Sequence, residues 1–185
     1  MRALAACAAL CLAGAGCTLR SSLPVLGVTP PFELTAENGE KFPSAELAGK
    51  VWVADFFFTT CNGPCPRMSV QMKQLQEAVR ELDDVRLVSF TIDPATDTPA
   101  ALAAYARRYK ADPARWRFLT GAPEELRRLS YDTFHLAEVG GSLEHSSRFA
   151  LVDRKGRIRG YYDTVAKDAI PQIVADILKL RKEVL

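Results

Sequence analysis

Histidine is scarce in this chain: 185 residues contain only His135 and His145. Neither stands at a finger-type spacing from a cysteine or from the other, and a closed structural zinc site asks for four ligands. A zinc-stapled fold is therefore set aside. Charge of one sign is also missing. The 24 Lys and Arg residues face 22 Asp and Glu, for a net charge of +2, and the basic residues are scattered. No basic stripe is present that could track a phosphate backbone, so no nucleic acid is expected as a partner. There is no internal repeat and, after the first twenty residues, no low-complexity segment. The length suits one domain with its own core.

Long apolar runs are lacking as well. The uncharged stretch over residues 3–19 has 17 residues, many of them Ala and Gly. A spanning helix needs ~20 consecutive apolar residues, so this one falls short. Preceded by Met1-Arg2, it reads as an export signal. Gly14-Ala15-Gly16-Cys17 resembles a bacterial lipoprotein cleavage site, with Gly14 where Leu is usual. Cleavage there removes residues 1–16 and leaves Cys17 to carry lipid; a plain signal peptide or an uncleaved short anchor is the alternative. Residues 17–30 then read as a tether and residues 31–185 as the folded domain. Cys7 and Cys11 leave with the signal, so of five cysteines only Cys61 and Cys65 belong to the fold. Outside the cytoplasm such a pair is a disulfide or a guarded dithiol.

What is there centres on those two cysteines, in Phe56-Phe57-Phe58-Thr59-Thr60-Cys61-Asn62-Gly63-Pro64-Cys65-Pro66. An apolar run precedes them and an amphipathic run follows: strand, loop, helix start. A helix N-terminus favours the thiolate, and thiolates both bind soft metals and attack disulfides. On one helical turn the two residues would lie about 6 Å apart along the axis, at ~1.5 Å rise per residue. That falls within the ~4.4–6.8 Å Cα separation a disulfide accepts. The pair is thus competent for redox and for metal chemistry. A purely structural disulfide closing so small a loop would restrain the unfolded chain little.

The rest of the chain supplies the layout. Residues 32–35 and 41–42, around Asn38-Gly39, predict a hairpin. Residues 50–58 and 85–92 predict buried strands. Residues 66–82 carry a helical stripe of Met68, Met72, Leu75, Val79 and Leu82, which reads the two methionines as core and not as copper ligands. Asp93-Pro94 reads as a turn, and Asp97 or Thr98 as the cap of a helix over residues 99–110 with Pro99 in its first turn. A short strand over residues 116–119, a helix over 123–131, a hairpin of 149–152 with 158–162 and a closing helix over 168–183 complete the order. The class is α/β. A central mixed sheet flanked by helices, with an added N-terminal hairpin and a thiol pair after the first central strand, points to a thioredoxin-like fold.

In such folds the loop entering the strand at Phe149 lies beside the thiols, where an oxidoreductase usually carries a cis-proline. Here Gly140-Gly141-Ser142-Leu143-Glu144-His145-Ser146-Ser147 has no proline and offers an imidazole. Two thiolates and one neutral imidazole suit Cu(I) or Cu(II), and could take zinc. His135, near a helix end, reads as a surface or capping residue. A thioredoxin-like peroxidase is disfavoured, because Phe58 and Asn62 precede the cysteines where its Thr would stand in a Pro-led loop.

Together, Cys61-Asn62-Gly63-Pro64-Cys65-Pro66, Asp93-Pro94-Ala95-Thr96-Asp97-Thr98-Pro99, and His145 ahead of Phe149-Ala150-Leu151-Val152-Asp153 resemble the Sco/SenC family of thioredoxin-like copper proteins, over roughly residues 31–180. The resemblance implies one copper held by Cys61, Cys65 and His145. It implies a protein tethered in the bacterial cell envelope, facing the periplasm or its equivalent. Its partner would be the copper-site subunit of cytochrome c oxidase, with other copper carriers as further partners. The role would be that of a copper metallochaperone; the alternative is a periplasmic thiol–disulfide oxidoreductase, with Cys61 and Cys65 as its redox-active pair, reducing the partner's cysteines. Two departures stand out: Asn62-Gly63-Pro64 lacks the acidic residue many members have between the cysteines, and a short N-terminus replaces their spanning helix. The resemblance assigns no chemistry to Asp93 or Asp97.

Overall fold

The computed structural model describes residues 23–136 and 147–183. Residues 1–22, with Cys17, and His145 lie outside the described residues. Among the described residues no helix is long and apolar enough to cross a membrane.

Among the described residues, eight strands form one mixed sheet. In chain order they are β1 (Gly27–Val28), β2 (Glu33–Ala36), β3 (Lys41–Pro43), β4 (Val51–Phe57), β5 (Val85–Thr91), β6 (Trp116–Thr120), β7 (Arg148–Val152) and β8 (Arg157–Asp163). The helices are α1 (Cys65–Ala78), α2 (Pro99–Arg108), α3 (Pro123–Arg127) and α4 (Ala169–Lys182), and α3 runs on into a wider π turn at Arg128–Thr133. Across the sheet the order is β1-β8-β7-β4-β5-β6-β2-β3. The pairs β4–β5 and β5–β6 are parallel, as helical crossovers require, and β7 joins β4 antiparallel. The expected thioredoxin-like α/β architecture is what the chain forms.

All seven residues of β4 are buried, so both faces of this strand meet core. Alternation along the strand sends Phe57 to one face and Phe56 to the other. Phe57 packs against Tyr105 of α2 and Phe118 of β6, and the Tyr105 hydroxyl meets Ser69 of α1 at 2.9 Å. Helices α1, α2 and α4 thus share that face, α4 resting on α1 and β4. On the opposite face Phe56 stacks on Phe90 at 5.1 Å, and Phe134, just past the π turn, closes over both.

The hairpin of β2 and β3 forms where Asn38-Gly39 predicts it, with Gly39 at φ 84° in its turn. It extends the sheet beyond β6. Met68, Met72, Leu75 and Val79 are buried as the stripe predicts, but α1 stops at Ala78, short of residue 82. Part of the segment read as tether is sheet. β1 pairs with β8, Leu26 N–H donates to the Ile158 carbonyl at 2.8 Å, and buried Arg159 reaches the Leu23 and Pro24 carbonyls at 2.6 and 3.0 Å. Asp153 and Glu183 hold Arg159 from the other side.

Candidate metal and dithiol site

The parallel strand β4 delivers the chain to the carboxyl edge of the sheet, where open α/β sheets build their sites. A seven-residue loop, residues 58–64, then joins β4 to α1. Cys65 is the first residue of α1, and Pro66 follows in the first turn, where a missing N–H costs nothing. Cys61 lies in the loop before the helix, so the condition of one shared helical turn is not met. The loop instead folds back at Cys61: its N–H donates to the Phe58 carbonyl at 3.3 Å, and its Sγ accepts the Gly63 N–H at 3.4 Å. No disulfide joins the two cysteines here, and the Cys65 side chain is hydrogen-bonded to Cys61.

The helix N-terminus does not win at Cys65. The residue is fully buried. Burial above all, then the hydrogen bond to Cys61, and finally the proximity of Cys61 and Asp55 push its thiol well above the usual range; a backbone hydrogen bond at Phe58 pulls the other way. The dipole term is worth ~0.3–1 kcal/mol at a helix end, which desolvation of a buried anion exceeds. Without a cation, Cys65 is held as a neutral thiol.

A polar seam runs through the core on the same side. The Trp116 indole N–H donates to Ser89 Oγ at 2.8 Å, and the Ser89 hydroxyl donates to Asp55 Oδ1 at 2.5 Å, crossing β6, β5 and β4 in turn. Asp55 Oδ2 has no hydrogen-bond partner among the described residues. Burial pushes the Asp55 carboxyl up to about 7, against the pull of Ser89. Sequence reading passed over Asp55 as one polar residue within an apolar run. A charged side chain in the middle of a strand buried on both faces was the signal available.

The Asp-Pro segment is likewise more than a turn and a cap. Thr98 caps α2, accepting the Ala101 N–H at 3.3 Å. The Asp97 side chain is used elsewhere: it accepts the Thr59 N–H at 3.1 Å, the Thr59 hydroxyl, and the Thr91 hydroxyl at 2.5 Å. It is thus bound to the loop that carries Cys61. Asp93 makes the expected turn, its carbonyl accepting the Asp97 N–H at 2.9 Å. His135 is exposed and takes a left-handed conformation at φ 51°, in keeping with a surface role. The structure therefore brings Cys61 and Cys65 together, sets His135 on the surface, and leaves His145 and Cys17 outside the described residues.

The model of the SCO1/SenC family matches residues 23–182. The SCO1 protein homolog of Bacillus subtilis is 33% identical over 153 residues, covering 80% of this chain and 79% of that protein. Among solved structures, a SCO1/SenC family lipoprotein from Bacillus anthracis is 33% identical, with TM-score 0.77, over 84% of this chain and 96% of that one. BsSco, described as a member of the Sco family of cytochrome c oxidase assembly proteins with a disulfide switch, is 29% identical, with TM-score 0.78, over 88% and 99%. ScoI of Bradyrhizobium japonicum, solved with copper bound, is 25% identical, with TM-score 0.69, over 83% and 99%. This chain belongs to the SCO1/SenC family.

Proposed function

We propose that this protein is a copper-binding assembly factor that serves the binuclear copper centre of cytochrome c oxidase. Copper is its cargo, taken by Cys61, Cys65 and His145. The observation that carries the reading is the buried thiol pair, Cys61 against Cys65, at the end of β4. The donor set fits the metal. Two soft sulfurs in contact, shielded from water, suit Cu(I), and an added imidazole lets the site accept Cu(II). Binding must displace the thiol protons, so copper affinity should rise with pH. The copper-bound relative and the relative named for cytochrome c oxidase assembly support the same reading.

The chain would work outside the cytoplasm, cleaved after residue 16 and held to the membrane by lipid on Cys17. A lipoprotein in the same family supports this placement. Mass spectrometry of the mature protein tests it, and an unmodified residue earlier than 17 at the N-terminus would refute it.

The test of the copper site is titration of the reduced domain with Cu(I) and with Cu(II), beside His145→Ala. The parent should take one copper per chain. Loss of an outer-shell partner alone costs ~10–100-fold in metal affinity, and loss of a ligand should cost more. A variant that binds as tightly as the parent would defeat the three-ligand proposal.

A second reading, thiol–disulfide reductase toward the partner's cysteines, is favoured by the contact of the two thiols and by the disulfide switch named for BsSco. Reduction of an oxidised copper-site fragment, retained in His145→Ala and lost in Cys61→Ser, would favour this role over delivery.

A further inference from the structure

The two sulfurs depend on different anchors. Cys65 begins a helix whose Met68, Met72 and Leu75 are locked into the core. Cys61, itself buried, sits in a loop whose neighbouring residues Thr60, Asn62 and Gly63 are exposed. Between β4 and Cys61, the Phe58 backbone is hydrogen-bonded to Cys65 at the start of α1, and Thr59 attaches the loop to a separate element, twice over. Both the Thr59 N–H and the Thr59 hydroxyl donate to the Asp97 carboxyl group.

Asp97 is itself held on several sides. It is fully buried, its Oδ2 accepts the Thr91 hydroxyl at the end of β5, and its N–H closes the turn onto the Asp93 carbonyl. Thr91 Oγ1 in turn accepts the Asp93 N–H at 2.9 Å. A two-point attachment fixes both the place of Thr59 and its rotation, two residues before Cys61. No other described side chain is hydrogen-bonded to Thr59.

We propose that Asp97 is the positioning residue for Cys61: through Thr59 it holds the loop so that the Cys61 sulfur meets the Cys65 sulfur, and thereby sets how readily the pair closes to a disulfide. The proposal rests on the reading of Cys61 and Cys65 as a reversible dithiol. A pre-positioned pair has a high effective concentration of one thiol at the other; a loosened loop lowers it without touching either sulfur.

The experiment is equilibration of the reduced protein in glutathione buffers. The reaction is Cys61–SH plus Cys65–SH plus oxidised glutathione giving the Cys61–Cys65 disulfide plus two reduced glutathione, with two electrons and two protons passing to glutathione. In Asp97→Ala the equilibrium constant should fall about tenfold, equivalent to about 30 mV for a two-electron couple. Asp97→Asn, which keeps one acceptor oxygen, should restore part of the loss, and Thr59→Val should lose about threefold by giving up one of two hydrogen bonds. Thr59→Val added to Asp97→Ala should cost nothing further, because both act through one attachment.

The control is Leu102→Ala, which empties a buried position on the helix that follows Asp97. It should lower unfolding stability and leave the equilibrium constant at the parent value. If Asp97→Ala does not fold, Asp97→Asn and Thr59→Val carry the test. An equilibrium constant unchanged in these two variants, whatever their stability, overturns the proposal alone. A parent that forms no Cys61–Cys65 disulfide at any glutathione ratio overturns it together with the dithiol reading. A parent that takes no copper, while Asp97 variants still shift the equilibrium, defeats the copper reading and supports the role of Asp97.

Discussion

Cys65 and Cys61 face each other across a single contact, yet the molecule builds them differently. Cys65 is a core residue that happens to carry a sulfur: it opens α1, is fully buried, and lies within the electrostatic reach of Asp55. Cys61 is a loop residue brought into place by backbone hydrogen bonds and by one distant carboxyl group. The difference teaches that a dithiol need not be rigid throughout. One sulfur is fixed by packing, which is expensive to alter. The other, although buried, sits in a loop held in part by polar contacts, which a metal or a partner protein can rearrange at smaller cost.

The largest expected effect lies on the Cys65 side. The folded state raises the Asp55 carboxyl from its ordinary 3.8 to about 7, so between these values the native protein binds more protons than the unfolded chain. Stability from this group is therefore whole below pH ~4, falls as pH rises through 7, and is then constant. A shift of this size corresponds to a loss of at most ~4 kcal/mol. Urea unfolding of Asp55→Asn against the parent should show a gain at pH 8 that disappears near pH 4. A gain of equal size at both pH values would break the assignment of Asp55 to a buried, pH-sensitive position.

Next comes the seat of Cys65. Met72→Ala empties a fully buried site on α1 and should cost about 3 kcal/mol, within the range for such truncations. Native-state reactivity of Cys61 should hardly change, since its anchors lie elsewhere. A matching rise in Cys61 reactivity would mean that the two sulfurs share one support.

Direct alkylation sharpens the contrast. Both cysteines are buried, but Cys61 lies between exposed loop residues while burial raises the Cys65 thiol, so in the reduced parent iodoacetamide should modify Cys61 about tenfold faster than Cys65. Peptide mapping after timed quenching reads this ratio, and equal rates would remove the asymmetry. The smallest effect is expected from Thr98→Ala, which removes the cap of α2 and should cost ~1 kcal/mol. Because Thr98 stands next to Asp97 but does not touch Thr59, the alkylation ratio should stay as in the parent. A change in that ratio would show that the helix cap, and not the Asp97 carboxyl, steadies the loop.

The sequence made the local parts of this architecture legible. Asn38-Gly39 announces its hairpin because the turn needs a positive φ that Gly39 supplies. The stripe from Met68 to Val79 announces α1 because its four- and three-residue steps keep one face. The same stripe misjudged the helix end: Leu82 still packs against the core, but from a turn beyond Ala78. Periodicity reports which side a residue faces, not whether the backbone between is helical. The strand β1 was missed because two residues, Gly27 and Val28, have no period to read, and their partners on β8 are some 130 residues away.

At the site, the thiol pair was plain from spacing and context, whereas its supports were not. Asp97 was read by its neighbours in sequence, Asp93 and Thr98. Its side chain binds Thr91, six residues away, and Thr59, 38 residues distant, which only the fold brings to it. The expectation of a thiolate at the helix start failed for a related reason. The dipole is a local property, but the burial that outweighs it at Cys65 is contributed by the whole core.

If Cys17 carries lipid as proposed, the pairing of β1 with β8 and the grip of Arg159 on Leu23 and Pro24 would limit how far the domain could lean from a membrane. A chain anchored at Cys17 and loose up to residue 30 would have a reach of about 45 Å at ~3.5 Å per residue. With the domain beginning at Leu23, the same spacing leaves about 20 Å. Such a protein would ride close to the lipid surface on a short leash, attached at a sheet edge, and would search for partners mainly by lateral diffusion in the membrane plane.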